Sequence, residues 1–154
     1  MAPAARQSYM DLALGEARAA QARGEVPIGA VVVDAAGVVI GHGGNRTREL
    51  SDPTAHAEIV AIREACRRLV SERLSDCDLY VTLEPCPMCA TAISFARIRR
   101  LYFGTTDTKG GGVESGPRIF NQPACHHAPE VYGGLAASEA ASLLQIFFAA
   151  RRGP

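Results

Sequence analysis

The chain has no net charge, almost no lysine, no apolar stretch of membrane-spanning length and too odd a cysteine count for a disulfide framework. Sixteen basic residues balance 16 acidic ones, with His taken as neutral. Such a balance provides no overall field for a polyanion, so any phosphate contact must come from local clustering. Lys109 is the only lysine and the other basic residues are arginines. The planar guanidinium suits phosphate, although a bias toward arginine codons gives the same skew. No apolar run approaches the ~20 residues of a membrane helix. Met1 to Gln7, with one arginine and no hydrophobic stretch behind it, does not read as a secretory signal. Repeats, low-complexity segments and linkers are also missing. Five cysteines without a leader suggest a reducing compartment, the cytoplasm.

What is present suits one compact domain, residues 1–154 with a core of about 8–152: 154 residues, 47% apolar and 21% charged. Ser8 reads as the N-cap of a first helix, with Tyr9, Leu12, Ala13, Ala17 and Ala20 at helical spacing and Gly24 as its stop. Ile28 to Val33 is a near-continuous apolar run, as in a strand buried on both faces. Asp34 to Gly37 is a turn, and Val38 to Ile40 returns as a hairpin partner. Asp52 as cap and Pro53 as first helical residue open a second helix that runs to about Leu69 and carries His56 and Glu58. Leu79 to Leu83 alternates as a third strand and ends at Glu84-Pro85, a third helix starts at the cysteines, and Leu101 to Phe103 is a fourth strand. Strand, helix and strand in that order imply a parallel pair. Gly104 to His127 is rich in Gly and Pro and reads as a functional or disordered loop. Pro129 to Tyr132 is a short edge strand, and Ser138 to Arg152 a last helix with Leu143, Leu144, Phe147 and Phe148 as its apolar stripe. The pattern is a mixed α/β layer fold, in which sites form beyond the carboxyl ends of strands.

The chemistry lies in His56-Ala57-Glu58 and Cys86-Pro87-Met88-Cys89. One imidazole and two thiolates can hold a zinc ion and leave its fourth position for water, which separates a catalytic from a structural site. Cys86 and Cys89, three apart at a helix start, face one side and gain from the free N–H groups there. Glu58, two residues from the imidazole, is placed to move the protons of that water. Each part alone has an ordinary reading: Cys-x-x-Cys as a redox pair or half a zinc finger, His56 as a helix-start residue, Glu58 as a favourable charge at a helix N-terminus. Together, and in this order, they match the signature of the zinc deaminases. Cys125-His126-His127 has no further ligands at motif spacing and reads as no second metal site.

That signature and its flanks resemble the bacterial tRNA-specific adenosine deaminase family of the cytidine deaminase-like superfamily. The likeness runs from about Tyr9 to Arg152. It is carried by Glu25-Val26-Pro27-Ile28-Gly29-Ala30, Asn45-Arg46, Asp52 to Glu58, Tyr80 to Cys89, Phe103-Gly104 with Asp107 and Lys109, and Phe147-Phe148 followed by Arg151-Arg152. Beyond Lys109 the run Gly110 to Gly116 and Cys125-His126-His127 departs from the best-known members.

The resemblance implies a three-layer α/β/α sandwich around a mixed five-stranded sheet. It also implies one zinc ion per subunit on His56, Cys86 and Cys89, and hydrolytic deamination of adenosine to inosine at the wobble position of a tRNA anticodon, with Glu58 as proton shuttle. Asn45 resembles the residue that bonds the purine, Val26 and Pro27 the apolar wall beside the base, with Ala57 also in the substrate site. Asp107, Lys109, Arg151 and Arg152 resemble RNA contacts. Other readings stand beside these: a turn residue for Asn45, strand packing for Val26 and Pro27, a loop-shaping carboxylate for Asp107, and the helix dipole for Arg151 and Arg152. Arg97, Arg99 and Arg100 form a solvated face or lie near a subunit boundary. The partners implied are a tRNA anticodon stem-loop and a second copy in a homodimer, with no membrane and no DNA. The alternatives are a small-molecule deaminase acting on guanine, cytidine or a cytosine nucleotide, and a non-catalytic zinc-binding module.

Overall fold

The computed structural model describes residues 3–152, with side chains from 4 to 151. Its elements are α1 (Pro3–Ala22), β1 (Gly29–Val33), β2 (Val39–Gly44), α2 (Ala57–Leu69), β3 (Asp78–Leu83), α3 (Pro87–Ala96), β4 (Arg100–Thr105), β5 (Glu130–Tyr132) and α4 (Ala137–Arg152), with a 3-10 turn at Ile119–Asn121. The sheet order is β2-β1-β3-β4-β5. β1 runs antiparallel to β2 and β3, whereas β3, β4 and β5 are parallel.

Strand alternation sorts the core into two halves. Ala30, Val32, Leu79, Val81, Leu101 and Phe103 meet the inner faces of α2 and α3. Val31, Val33, Tyr80 and Tyr102 point the other way, against α1 and Ala140 of α4. The sheet is therefore the middle layer of a three-layer sandwich. On the α1 side the register aligns tyrosines across strands: Tyr80 stacks on Tyr102 at 4.5 Å between ring centroids, and Tyr102 on Tyr132 at 5.1 Å.

Two helix starts differ from the sequence reading. α1 begins at Pro3, and Ser8 lies inside it rather than at its cap. Proline suits a first turn, and the alanines, arginine and glutamine before Ser8 are good helix formers, so nothing delays the helix. α2 begins at Ala57, with His56 as N-cap at φ −69° and ψ 157°, not at Pro53. Asp52 is occupied elsewhere: its Oδ1 accepts the Thr54 N–H at 2.9 Å and the Thr54 hydroxyl at 2.7 Å, forming a turn. The first N–H of α2 is taken instead by Asn45 Oδ1, 3.1 Å from Ala57 N. Gly24 stops α1 as expected. It sits at φ +85°, while its own N–H bonds Gln21 O and that of Glu25 bonds Ala20 O.

The Gly- and Pro-rich stretch after β4 is held by hydrogen bonds along much of its length. α4 buries Phe147 and half-buries Leu143 and Leu144, but Phe148 is exposed. Arg99 and Arg100 flank the buried carboxylate of Asp78, with Arg100 also reaching Glu130. Arg97 is the left-handed C-cap of α3. Cys125 bonds the Ser94 hydroxyl and the His127 carbonyl, and the His127 ring meets Ile98 O at 2.7 Å. Cys125 and His127 thereby pin the loop to the end of α3.

Candidate active site

The fold brings two helix N-termini to one point. α2 offers His56 and α3 offers Cys86, each as N-cap residue in extended backbone. β3 delivers the chain to Cys86 through Glu84-Pro85, and one turn further on Cys89 is buried. His56 Nδ1 lies 3.6 Å from Cys86 Sγ and 3.5 Å from Cys89 Sγ. A tetrahedral ion with zinc–sulfur and zinc–nitrogen lengths of about 2.3 and 2.0 Å needs its ligand atoms about 3.5 Å apart. The donor set and spacing therefore fit zinc. This is the only His/Cys/Asp/Glu group among the described residues with that metal-ligand spacing.

Electrostatics at the triad follow from crowding. The neighbouring Cys89 thiol, and after it the His56 imidazole, hold Cys86 down at about 4 despite burial. The same neighbour, Cys86, and then burial push Cys89 up. His56 is raised, first by its bond to Cys86. The thiolate thus sits on Cys86 and the proton on Cys89, and a metal held by both sulfurs would displace that proton.

Glu58 is 4% exposed in the first turn of α2. Burial, and then the Cys86 thiolate, push its carboxyl up to about 7 against the pull of its own backbone N–H. Asn45, 6% exposed, is held through its main chain to Ile28 O and gives its oxygen to Ala57 N–H. Its amide nitrogen has no protein acceptor among the described residues. The Ala57 N–H is spent on Asn45.

A groove of about 840 Å³ lies at the carboxyl ends of β3 and β4, with Leu83 and Thr105 in its wall. Val26, Asp107, Lys109 and Arg151 line it, so four of the sequence-selected residues meet there. Pro27 is buried and not in the lining. Asp107 shapes its loop, since its Oδ1 accepts the N–H groups of Lys109 and Gly110 at 3.2 and 2.9 Å. Arg151 donates to Gly24 O at 2.6 Å and lies over the Phe147 ring at 4.4 Å. The Arg152 side chain lies outside the described residues.

The sequence reading missed two buried carboxylates. Glu25, next to Val26, accepts the N–H groups of Arg48 and Glu49 at 3.2 and 2.8 Å and so holds the segment after Asn45. Glu84, just before Pro85-Cys86, is bonded by the loop after β4. Both residues stood in the segments carrying the family resemblance, the one signal that could have marked them.

The family described as the cytidine and deoxycytidylate deaminase zinc-binding region matches residues 3–105. The tRNA-specific adenosine deaminase of Agrobacterium fabrum is 65% identical over 149 residues, 97% of each chain. The chain belongs to the tRNA-specific adenosine deaminase family. Within it, the Bacillus subtilis tRNA-specific adenosine deaminase is 41% identical over 91% of this chain and 86% of its own. A solved structure from studies of A-to-I editing by tRNA:A34 deaminases at the wobble position is 67% identical, with a TM-score of 0.87 over 89% of this chain and 99% of that one. The guanine deaminase of Nitrosomonas europaea shares the fold at 27% identity, with a TM-score of 0.81 over 96% of this chain and 85% of its own.

Proposed function

We propose that this chain is a homodimeric zinc enzyme that converts adenosine to inosine at the wobble position of a tRNA anticodon. The observation that carries it is the His56–Cys86–Cys89 triad beside buried Glu58, in a chain so similar along its length to tRNA-specific adenosine deaminases. The reaction adds water across C6 of adenine and expels ammonia. His56, Cys86 and Cys89 hold the ion, which when bound makes water a competent nucleophile near neutral pH.

Glu58 takes a proton from the attacking water and gives it to the ring nitrogen beside C6, then takes the second proton from the new C6 hydroxyl and gives it to the leaving amine. Its depth in the first turn of α2 keeps bulk water from short-circuiting these transfers. Asn45 orients the purine with the amide N–H that the protein leaves free. Val26 forms the accessible part of the apolar wall beside the base, and buried Pro27 and Ala57 belong to the same site. An adenine in a loop reaches such a pocket by turning out of its stack. Asp107, Lys109 and Arg151 meet the RNA along the groove, with Arg152 a further RNA contact, and the groove lining sets two cations against one anion despite the neutral total of the chain. Five unpaired cysteines suit a cytoplasmic protein. Among the described residues no helix is long and apolar enough to cross a membrane.

The test is an anticodon stem-loop with adenine at the wobble position, run beside free adenosine, cytidine and guanine. Inosine in the stem-loop alone is expected. Ammonia from a free base or nucleoside, with the stem-loop untouched, would favour the small-molecule reading.

A further inference from the structure

We infer that Glu84 is a positioning residue that ties the RNA-facing loop to the zinc-ligand helix. The inference rests on the deaminase reading above. Glu84 is 2% exposed. Its Oε2 accepts the backbone N–H groups of Val113, Glu114 and Ser115 at 3.1, 2.8 and 2.9 Å. Its Oε1 accepts the Asp107 N–H at 2.9 Å and the Ser115 hydroxyl at 3.0 Å. No cation takes part in these bonds. The loop backbone wraps the carboxylate as a nest of N–H dipoles, the arrangement that suits an anion withdrawn from water.

The two ends of Glu84 point to different parts of the site. Along the chain it precedes Pro85 and the ligand Cys86, and its own N–H bonds Thr105 O at 2.9 Å. Through its side chain it fixes the Asp107 backbone, and Asp107 in turn holds Lys109 and Gly110. Those three residues line the groove. The loop is also strapped to the ligand segment directly, by Gly112 N–H to Pro85 O at 2.8 Å.

The glycine run makes this wrap possible. A Cβ on Gly111 would lie 2.6 Å from Glu84 Oε2 and 2.4 Å from Asp107 O, and one on Gly112 would lie 2.6 Å from Pro87 N. Gly110-Gly111-Gly112 thus lets the backbone close on the carboxylate and on the start of α3. Glu84 therefore sets where Asp107 and Lys109 stand relative to the ion-binding triad without touching either the ion or the base.

The experiment compares full-length, zinc-loaded wild type with Glu84→Gln and Ser115→Ala. It reads zinc content, kcat and KM on the stem-loop, and amide hydrogen exchange. Glu84→Gln turns an amide NH₂ toward backbone donors. It is expected to keep its zinc, to raise KM about 10- to 100-fold with kcat changed less than about threefold, and to speed exchange at 106–116 alone. Ser115→Ala removes one bond and is expected to move KM and local exchange the same way by about threefold. Glu84→Gln that loses zinc, that lowers kcat at constant KM, or that leaves KM unmoved overturns the inference. Should that variant fail to fold, Ser115→Ala decides, and unchanged KM with unchanged exchange overturns it. A wild-type enzyme that leaves the stem-loop untouched sinks the deaminase reading itself, a result visible before any variant is compared.

Discussion

The Asn45 amide oxygen caps α2 at Ala57, which seats His56 and Glu58, and in the proposed reaction its nitrogen meets the purine. Asn45→Asp retains an acceptor for Ala57 and loses the donor. The expected result is a fall in kcat/KM of about 10- to 100-fold on the stem-loop with a melting temperature close to wild type. Asn45→Ala loses both functions and should melt lower as well; equal activity of Asn45→Asp and wild type would remove Asn45 from the substrate site. Glu58 is tested more severely. Glu58→Gln preserves shape but cannot carry a proton, so turnover should drop by about 10²- to 10⁴-fold while bound zinc, measured by elemental analysis, stays at the wild-type level. Loss of the metal in that variant would mean that Glu58 supports the triad rather than the reaction.

At the scale of elements, what could be read from the sequence is what short-range order decides. Val31 and Val33 against Ala30 and Val32, and the tyrosines of β3 and β4 against their neighbours, place strands and faces because side chains alternate across a sheet. Pro87 after Cys86 marks the start of α3. The start of α2 could not be read in this way. Asp52-Pro53-Thr54 has the local form of a cap, but Asn45, a residue from the end of the β-hairpin, supplies the bond that decides where the helix begins. Glu25 and Glu84 were opaque for the same reason: a carboxylate gathers N–H groups only from loops that the fold brings round to it.

Glu25 yields a pH prediction. Burial raises its pKa, but the Glu49 and Arg48 N–H groups and the nearby Arg23 outweigh it and leave it below the ordinary 4.5. A carboxyl whose pKa is depressed by folding stabilises the protein fully above its unfolded value, and that contribution is lost as pH falls through the folded one. Glu25→Gln should therefore be less stable than wild type by about 1–3 kcal/mol at pH 7, and the gap should narrow below about pH 4 in urea unfolding. A gap that stays constant with pH would show that the charge on Glu25 is not what holds the segment.

For the whole molecule, the sandwich does one thing for function: it brings the N-termini of α2, after the hairpin, and α3, in the crossover, to one candidate zinc site. The candidate ligands could be picked out because motif spacing is local. The convergence of Val26, Asp107, Lys109 and Arg151 on one groove could not, because it joins the β1 approach, the loop after β4 and α4. The central claim is hydrolysis at a single adenine, and one measurement addresses it directly. A full-length tRNA with adenine at the wobble position is incubated with the zinc-loaded enzyme in ¹⁸O-labelled water, and its nucleosides are mapped by mass spectrometry. The account predicts one inosine, at the wobble position, carrying one ¹⁸O. Unchanged adenine there, or inosine without the label, would contradict it.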